Sequence, residues 1–352
     1  MMRLEEAIQK IRPVDQFCQQ RVQARLDRLT KPVRSLGRLE ELAAWYAAVT
    51  GEVCPKVPRS VIFTFAADHG VTDEGVSAYP RAVTAQMVLN FLRGGAGVNV
   101  LAAHVGAEVR VVDIGVAHEF GGLPGLLPRK VGYGTRNFLR EPAMIGEQAT
   151  QAVETGINLA CDAAREGVGL IGTGDMGIGN TTPSSAIVAV MTGQPVGDVT
   201  GRGTGIDEPT YVRKVAVIEE ALRRHCPVPT NPLDVLAKVG GFEIAGLAGL
   251  ILGAAAYRVP VMLDGFIAGA AALIAVGLQP LSRDYLIASH LSVERGHRAV
   301  VNQLGLKPLF DLDLRLGEGT GACLGIGLVQ AGIKILTQMA TFGEAGVSER
   351  IS

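Results

Sequence analysis

Five apolar runs, most of them rich in β-branched residues, recur along the chain: Ser60 to Ala66, Val109 to Ile114, Val168 to Ile171, Val259 to Leu263 and Tyr285 to Ala288. Long segments with helical spacing lie between them, including Thr84 to Val105, Ile145 to Arg165, Val212 to Arg224 and Phe242 to Ala256. Continuous apolar strands alternating with helices predict an α/β fold, a parallel sheet covered by helices on both faces. A polar group follows each run. Ala67-Asp68-His69-Gly70 follows the first, and Gly115 the second, with Asp113 just inside it. A glycine loop with Asp175 follows the third, Asp264-Gly265 the fourth and Ser289-His290 the fifth. In an open parallel sheet the C-terminal strand ends line the ligand crevice, so these residues are expected to share one site.

The third run feeds the densest of these loops, GVGLIGTGDMGIGNTTPSSAIVAVM over Gly167 to Met191. Glycines at 172, 174, 177 and 179 precede Asn180, Thr181, Thr182 and Pro183, and a small, apolar run follows. The order is strand, loop, helix, with Asn180 or a threonine able to cap and Pro183 suited to a first turn. Glycines let backbone N–H groups approach a ligand, and a helix N-terminus favours anions. Two readings stand: a phosphate or phosphosugar cradle, and a tight turn with no ligand. The clustered hydroxyls and amide favour the cradle.

Composition closes off other classes. With 352 residues and 48% hydrophobic content, the chain can bury one large core or two. A net charge of −1 and 5% aromatics give no footprint for nucleic acid or an anionic membrane. Five scattered cysteines without a C-x-x-C pair suit a reducing compartment, as buried thiols rather than disulfides or zinc ligands. The first residues, MMRLEEAIQKIRPVD, mix charges unlike a signal peptide, and the apolar stretch Phe266 to Leu278 is too short to span a bilayer. A cytoplasmic protein is expected.

At the N-terminus, Leu26, Leu29, Val33, Leu36, Leu39, Leu42 and Ala43 recur at helical spacing and Gly51 is placed to stop the last helix. Pro32 and Gly37 make LTKPVRSLGRLE a turn between two helices. That stripe must bury against the C-terminal helices or a second subunit.

Asp68-His69-Gly70 and Glu74 to Pro80 enter a helix carrying Gln86. This is either a pocket wall for a heteroaromatic ligand, or a helix cap at Asp68 with an ordinary structural bond at His69. His69 has no second His or Cys at ligand spacing, so no metal is expected. Val111 to Gly115 lacks the paired acids of a diphosphoribosyl-pyrophosphate loop. No phosphate-binding G-x-x-x-x-G-K-[ST] occurs, and Gly172-x-Gly174 lacks the third glycine of a dinucleotide fingerprint. Arg213-Lys214 is either a solvated pair or, beside the cradle, an anion partner at Lys214. Glu318, flanked by glycines in Arg315 to Gly321, is either a carboxylate free to approach a ligand or a first-turn acid on a helix dipole. The dipole would lower its pKa and apolar burial would raise it.

Together the motifs resemble the nicotinate-nucleotide–dimethylbenzimidazole phosphoribosyltransferase family, which builds the lower-ligand nucleotide of cobalamin. They are LTKPVRSLGRLEEL at 29–42, AADHGV at 66–71, EGVSAYP at 74–80, GDMGIGNTT at 174–182, LDGFIAGAAAL at 263–273 and LGEGTGACLG at 316–325, spread over nearly the whole chain. Two departures occur: Asp175 stands where the family usually has Glu, and Val33-Arg34 where it has Pro-Gly. The resemblance implies a large Rossmann-like domain over 58–310 and a small helical domain built from 1–57 and 311–352, in a homodimer. It implies transfer of the 5-phosphoribosyl group of nicotinate mononucleotide to dimethylbenzimidazole, with inversion, without cofactor or metal. Glu318 would be the general base. Gly174, Asp175, Gly177, Gly179, Asn180, Thr181, Lys214 and Gly317 would hold the nucleotide, and Ser77, Tyr79, Gln86 and Met176 the benzimidazole. The alternatives are a related transferase acting on other azoles, purines or phenols, which Asp175 keeps open, and a non-catalytic sensor, which the retained Glu318 disfavours.

Overall fold

The protein is described from a computed structural model over residues 2–348. Six strands, β1 (Arg59–Ala67), β2 (Glu108–Gly115), β3 (Leu126–Pro128), β4 (Val168–Met176), β5 (Val261–Leu263) and β6 (Leu286–Ala288), form one parallel sheet. The five expected runs are β1, β2, β4, β5 and β6. The three-residue β3 is too short to leave an apolar run. The strand order is β3-β2-β1-β4-β5-β6, the doubly wound Rossmann order. It reverses between β1 and β4, so the crevice opens above the C-terminal ends of those two strands.

Helices cover both faces. Phe242–Ala256 is buried along its whole length, between the sheet and Gly146–Arg165. These two helices meet backbone to backbone. A methyl group at Gly156 would strike the Gly246 carbonyl, and one at Gly249 the Val153 carbonyl. The expected single helix over Thr84 to Val105 is instead two, Val83–Leu92 and Gly97–Val105. Gly94, at φ 79°, turns the chain between them, and the break supplies a second helix N-terminus.

The N-terminal stripe buries against the C-terminal helix Thr320–Gln338 rather than needing a second subunit. Cys18, Val22, Leu26, Leu29, Ala43, Ala44 and Ala47 share a core with Leu336. Val33, 63% exposed, does not join it. The turn between the helices is held by a buried ion pair, Lys31 Nζ to Glu40 Oε1 at 2.8 Å, and Gly51 ends helix Arg38–Thr50 at φ 78°. Helix Leu4–Lys10 packs elsewhere, on Phe242–Ala256 and Gly146–Arg165.

Among the described residues, Thr320–Gln338 is long and apolar enough to cross a membrane, yet more than half of it is buried against the sheet and the N-terminal helices. It is a core helix. Cys18, Cys161 and Cys323 are buried free thiols, as expected, whereas Cys54 and Cys226 are exposed, on a loop and at a helix end.

Candidate active site

β4 runs five residues past its apolar segment, so Gly172, Gly174 and Asp175 are strand rather than loop. The lack of a side chain at Gly172 and Gly174 serves packing. A methyl group at Gly172 would strike Ile62, and one at Gly174 the backbone carbonyl of Glu318. Gly174 thereby admits the Glu318 turn, which lies directly on the strand, and Gly172 admits Ile62 and the helix that follows that turn. The loop proper is Gly177 to Asn180. At Gly177 a Cβ would stand 2.6 Å from the Ala67 carbonyl and 3.1 Å from His69 Nε2, and Gly179 adopts φ 87°. Helix Thr181–Thr192 follows, with Pro183 in its first turn. Asn180 precedes it without capping through its side chain. Its side chain turns back to the strand instead, with Nδ2 donating to Asp175 Oδ2 at 2.9 Å.

Lys214, on helix Glu208–His225, is only 1% exposed, which excludes the solvated-face reading. Its ammonium donates to Thr181 Oγ1 at 2.7 Å and to the Gly201 carbonyl at 3.4 Å. Burial pulls its pKa down to about 8, against the opposing pull of Glu294. A cation thus stands at the start of the helix where the cradle was expected.

The turn before Thr320–Gln338 is held in an unusual backbone. Gly317, Glu318 and Gly319 all lie at positive φ, 79°, 64° and 110°. For Glu318, with a side chain, this conformation costs about 1 kcal/mol or more and persists because its surroundings fix it. Thr64 Oγ1 donates to the Glu318 carbonyl at 2.9 Å. Asp264, at the end of β5, accepts the Gly321 and Ala322 N–H groups at 2.7 and 3.1 Å. The Glu318 carboxylate is itself nearly buried and accepts the Val98 N–H at 3.1 Å. The helix N-terminus that its carboxylate bonds is therefore that of Gly97–Val105, not that of the helix it precedes. Burial outweighs those N–H groups and raises its pKa.

Asp175 lies behind this turn. A Cβ on Gly317 would stand 3.4 Å from its Oδ2. Burial pushes its pKa well above the usual carboxylate range, and the charges of Asp264, Glu243 and Glu318 add to the rise against the Asn180 bond. Burial likewise moves Asp264 up to about 7. Asp68 does not cap a helix with its side chain. Its Oδ2 accepts the Ala117 N–H at 2.8 Å, and His69 Nε2 bonds Glu243 Oε1 at 2.7 Å, both residues buried.

The expected benzimidazole wall is more open. Tyr79 is 54% exposed, Gln86 is exposed on Val83–Leu92, and Ser77 and Met176 are half-buried. Ser77 Oγ accepts the Tyr79 N–H at 3.3 Å, and Met176 packs on the cluster holding Val88 and Phe91 of the Gln86 helix. Thr84 Oγ1 of that helix accepts the Ile178 N–H at 3.1 Å, tying it to the glycine loop. Thr64, Glu243 and Glu294 were not singled out from the sequence. Thr64 alone left a signal, a hydroxyl inside an apolar strand.

The family model described as Phosphoribosyltransferase matches residues 11–347. The chain is 62% identical over 349 residues to a protein named nicotinate-nucleotide–dimethylbenzimidazole phosphoribosyltransferase from Geobacter sulfurreducens, covering 99% of each chain. It is 60% identical over 351 residues to one of the same name from Roseiflexus sp. strain RS-1, covering 100% of this chain and 99% of the relative. The solved structure of CobT from Thermus thermophilus is 48% identical, with a TM-score of 0.91 over 95% of this chain and 100% of that one.

Proposed function

The chain belongs to the nicotinate-nucleotide–dimethylbenzimidazole phosphoribosyltransferase family, and on that premise we propose that it moves the 5-phosphoribosyl group of nicotinate mononucleotide onto dimethylbenzimidazole. The products are α-ribazole 5′-phosphate and nicotinate. The observation that supports this most is Glu318, whose carboxylate is nearly buried and raised in pKa and whose backbone sits on β4 at Gly174, at the reversal of strand order. A carboxylate poised closer to neutrality is a better general base for a heteroaromatic N–H.

The chemistry asks little else. The pyridinium of the nucleotide leaves as neutral nicotinate ring nitrogen, taking the electron pair of its bond to C1′. A benzimidazole nitrogen attacks C1′ from the opposite face, which inverts the anomeric centre, and the N–H proton passes to Glu318. Holding the two reactants in line can supply roughly 7 to 11 kcal/mol of the barrier reduction. A positioned base adds typically about 10²- to 10⁴-fold.

In this reading the phosphate lies at the start of helix Thr181–Thr192, where Gly177, Gly179, Asn180 and Thr181 offer backbone and hydroxyl groups and Lys214 the charge. Gly174 and Gly317 give the turn its seat, and buried Asp175 supports it from behind. Ser77, Tyr79, Gln86 and Met176 border the base. The open base side favours a second reading, in which other azoles or purines are also accepted. We further propose a cytoplasmic homodimer whose protomers divide into 58–310 and a helical unit from 1–57 and 311–352, as the shared core of Leu26 and Leu336 suggests.

The test is product analysis with nicotinate mononucleotide and dimethylbenzimidazole under chelation. α-Ribazole phosphate with free nicotinate is expected. If none forms, and adenine and phenols also give nothing, a sensor is the better reading.

A further inference from the structure

Lys214 holds the phosphate in the reading above, yet its ammonium is covered. Residues 201–205 lie over it. The Gly201 carbonyl accepts from Nζ, and a Cβ on Gly203 would stand 2.8 Å from Thr181 Oγ1 and 3.5 Å from Nζ. With Lys214 1% exposed, no phosphate oxygen reaches it until this segment moves.

The segment is built to move. Buried Thr200 and Ile206 anchor its ends, with Gly201 packed against the Glu294 carboxylate, while glycines at 203 and 205 take φ 51° and 95°. Glycine passes between such conformations at low cost. Its ties on the phosphate side are long: Lys214 to Gly201 O at 3.4 Å, and exposed Arg315 Nη1 to Gly203 O at 3.3 Å. At its outer side Arg202 donates to the Ile206 carbonyl at 3.0 Å and pairs with Glu208, a hinge that stays in place, and a further tie runs to the base side. Thr204 Oγ1 accepts the Ala78 N–H at 3.1 Å, in the middle of the Ser77–Tyr79 wall. Gly203 cannot lift without carrying Thr204, its chain neighbour.

We infer that residues 201–205 couple the two substrate subsites: phosphate entry lifts the segment from Lys214, Thr204 releases Ala78, and the freed loop closes on the base. The inference rests on Lys214 as the phosphate ligand. The nucleotide then binds first and prepares the base site. Linkage makes the effect reciprocal, so the base tightens phosphate binding by the same factor.

The test titrates dimethylbenzimidazole calorimetrically into the full chain, with and without saturating ribose 5-phosphate, which cannot react. The wild type should bind the base about fivefold or more tightly with the phosphate present, the low end of ordinary coupling. Thr204→Val, an exposed and nearly isosteric change, should bind the base equally in both conditions, at the tighter value. Thr204→Ser, which keeps the acceptor oxygen, should restore the difference. An unchanged difference in Thr204→Val, or none in the wild type, overturns the coupling. Product analysis separates the two claims. An enzyme that turns over but shows no coupling loses only this inference, whereas one without turnover loses both.

Discussion

At Glu318 three influences meet: a left-handed backbone fixed by Thr64, apolar burial, and the N-terminus of helix Gly97–Val105. Burial wins, and the carboxyl titrates above the ordinary glutamate value. The active form is the ionised one, so kcat/KM should fall on the acid side, through an apparent pKa above 4.5. A profile between pH 4 and 9 checks this, and an acid limb at or below the ordinary value contradicts the placement. Glu318→Gln keeps the shape and loses the base. Turnover should drop about 10²- to 10⁴-fold while both substrates still bind, and near-normal turnover would remove Glu318 from that role. The residue was legible in the sequence from its flanking glycines. The direction of its pKa was not, because the helix that touches it lies 220 residues away. Lys214 was legible as a charge near the cradle, but its burial depends on the segment folded over it.

One scale up, the Glu318 turn is positioned by strand and helix ends rather than by its own sequence. Its seat is Gly174, where an added methyl group would overlap the Glu318 carbonyl and come within 2.9 Å of Thr64 Oγ1. Gly174→Ala should therefore shift the turn, lowering turnover at least as much as Glu318→Gln, for only about 1–3 kcal/mol of stability by overpacking. Turnover and urea denaturation on the same preparation check both parts; full activity would mean that the turn does not depend on this contact. Asp264 holds the helix that follows. Its folded pKa of about 7 stands about three pH units above 3.8, on the order of 4 kcal/mol at about 1.4 kcal/mol per unit. The sign follows from proton counting: above 3.8 the folded state keeps a proton that the unfolded state loses. The associated stability is full below about pH 4 and declines as pH rises toward 7. Asp264→Asn should flatten that decline, as denaturation midpoints between pH 4 and 8 would show; parallel curves would refute it. The glycines of 172–179 were read from sequence as one ligand loop because a glycine admitting a ligand and one admitting a neighbouring strand or turn look alike. Half of them proved to be strand. The break at Gly94 was hidden similarly, inside a stretch of uniform helical spacing.

For the whole molecule, the alternation of apolar runs and helices was enough to read the parallel sheet, and the polar strand ends pointed to the candidate site. The partner of the N-terminal stripe was readable only as one of two, the C-terminal helices or a second subunit, because periodicity says which face buries but not against what. It is Leu336 on helix Thr320–Gln338, whose other residues Ala322, Cys323 and Ile326 pack into the core beside the sheet. One helix thus belongs to both cores and begins at the Glu318 turn, so the chain ends and the sheet should unfold together. Leu26→Ala opens a cavity in the terminal core and should cost about 2–5 kcal/mol, lowering Tm by several degrees. Trp45 is the only tryptophan, and its Nε1 donates to the Asp284 carbonyl at 2.9 Å, joining helix Arg38–Thr50 to the segment before β6. Its fluorescence reports that junction, while far-ultraviolet circular dichroism reports the helices and sheet at large. In Leu26→Ala both signals should shift together, with loss of transferase activity at the same temperature. A Trp45 transition that moves down alone would show that the terminal helices melt as a separate unit. Activity would then follow the tryptophan signal, because the turn carrying Glu318 would lose the helix that anchors it.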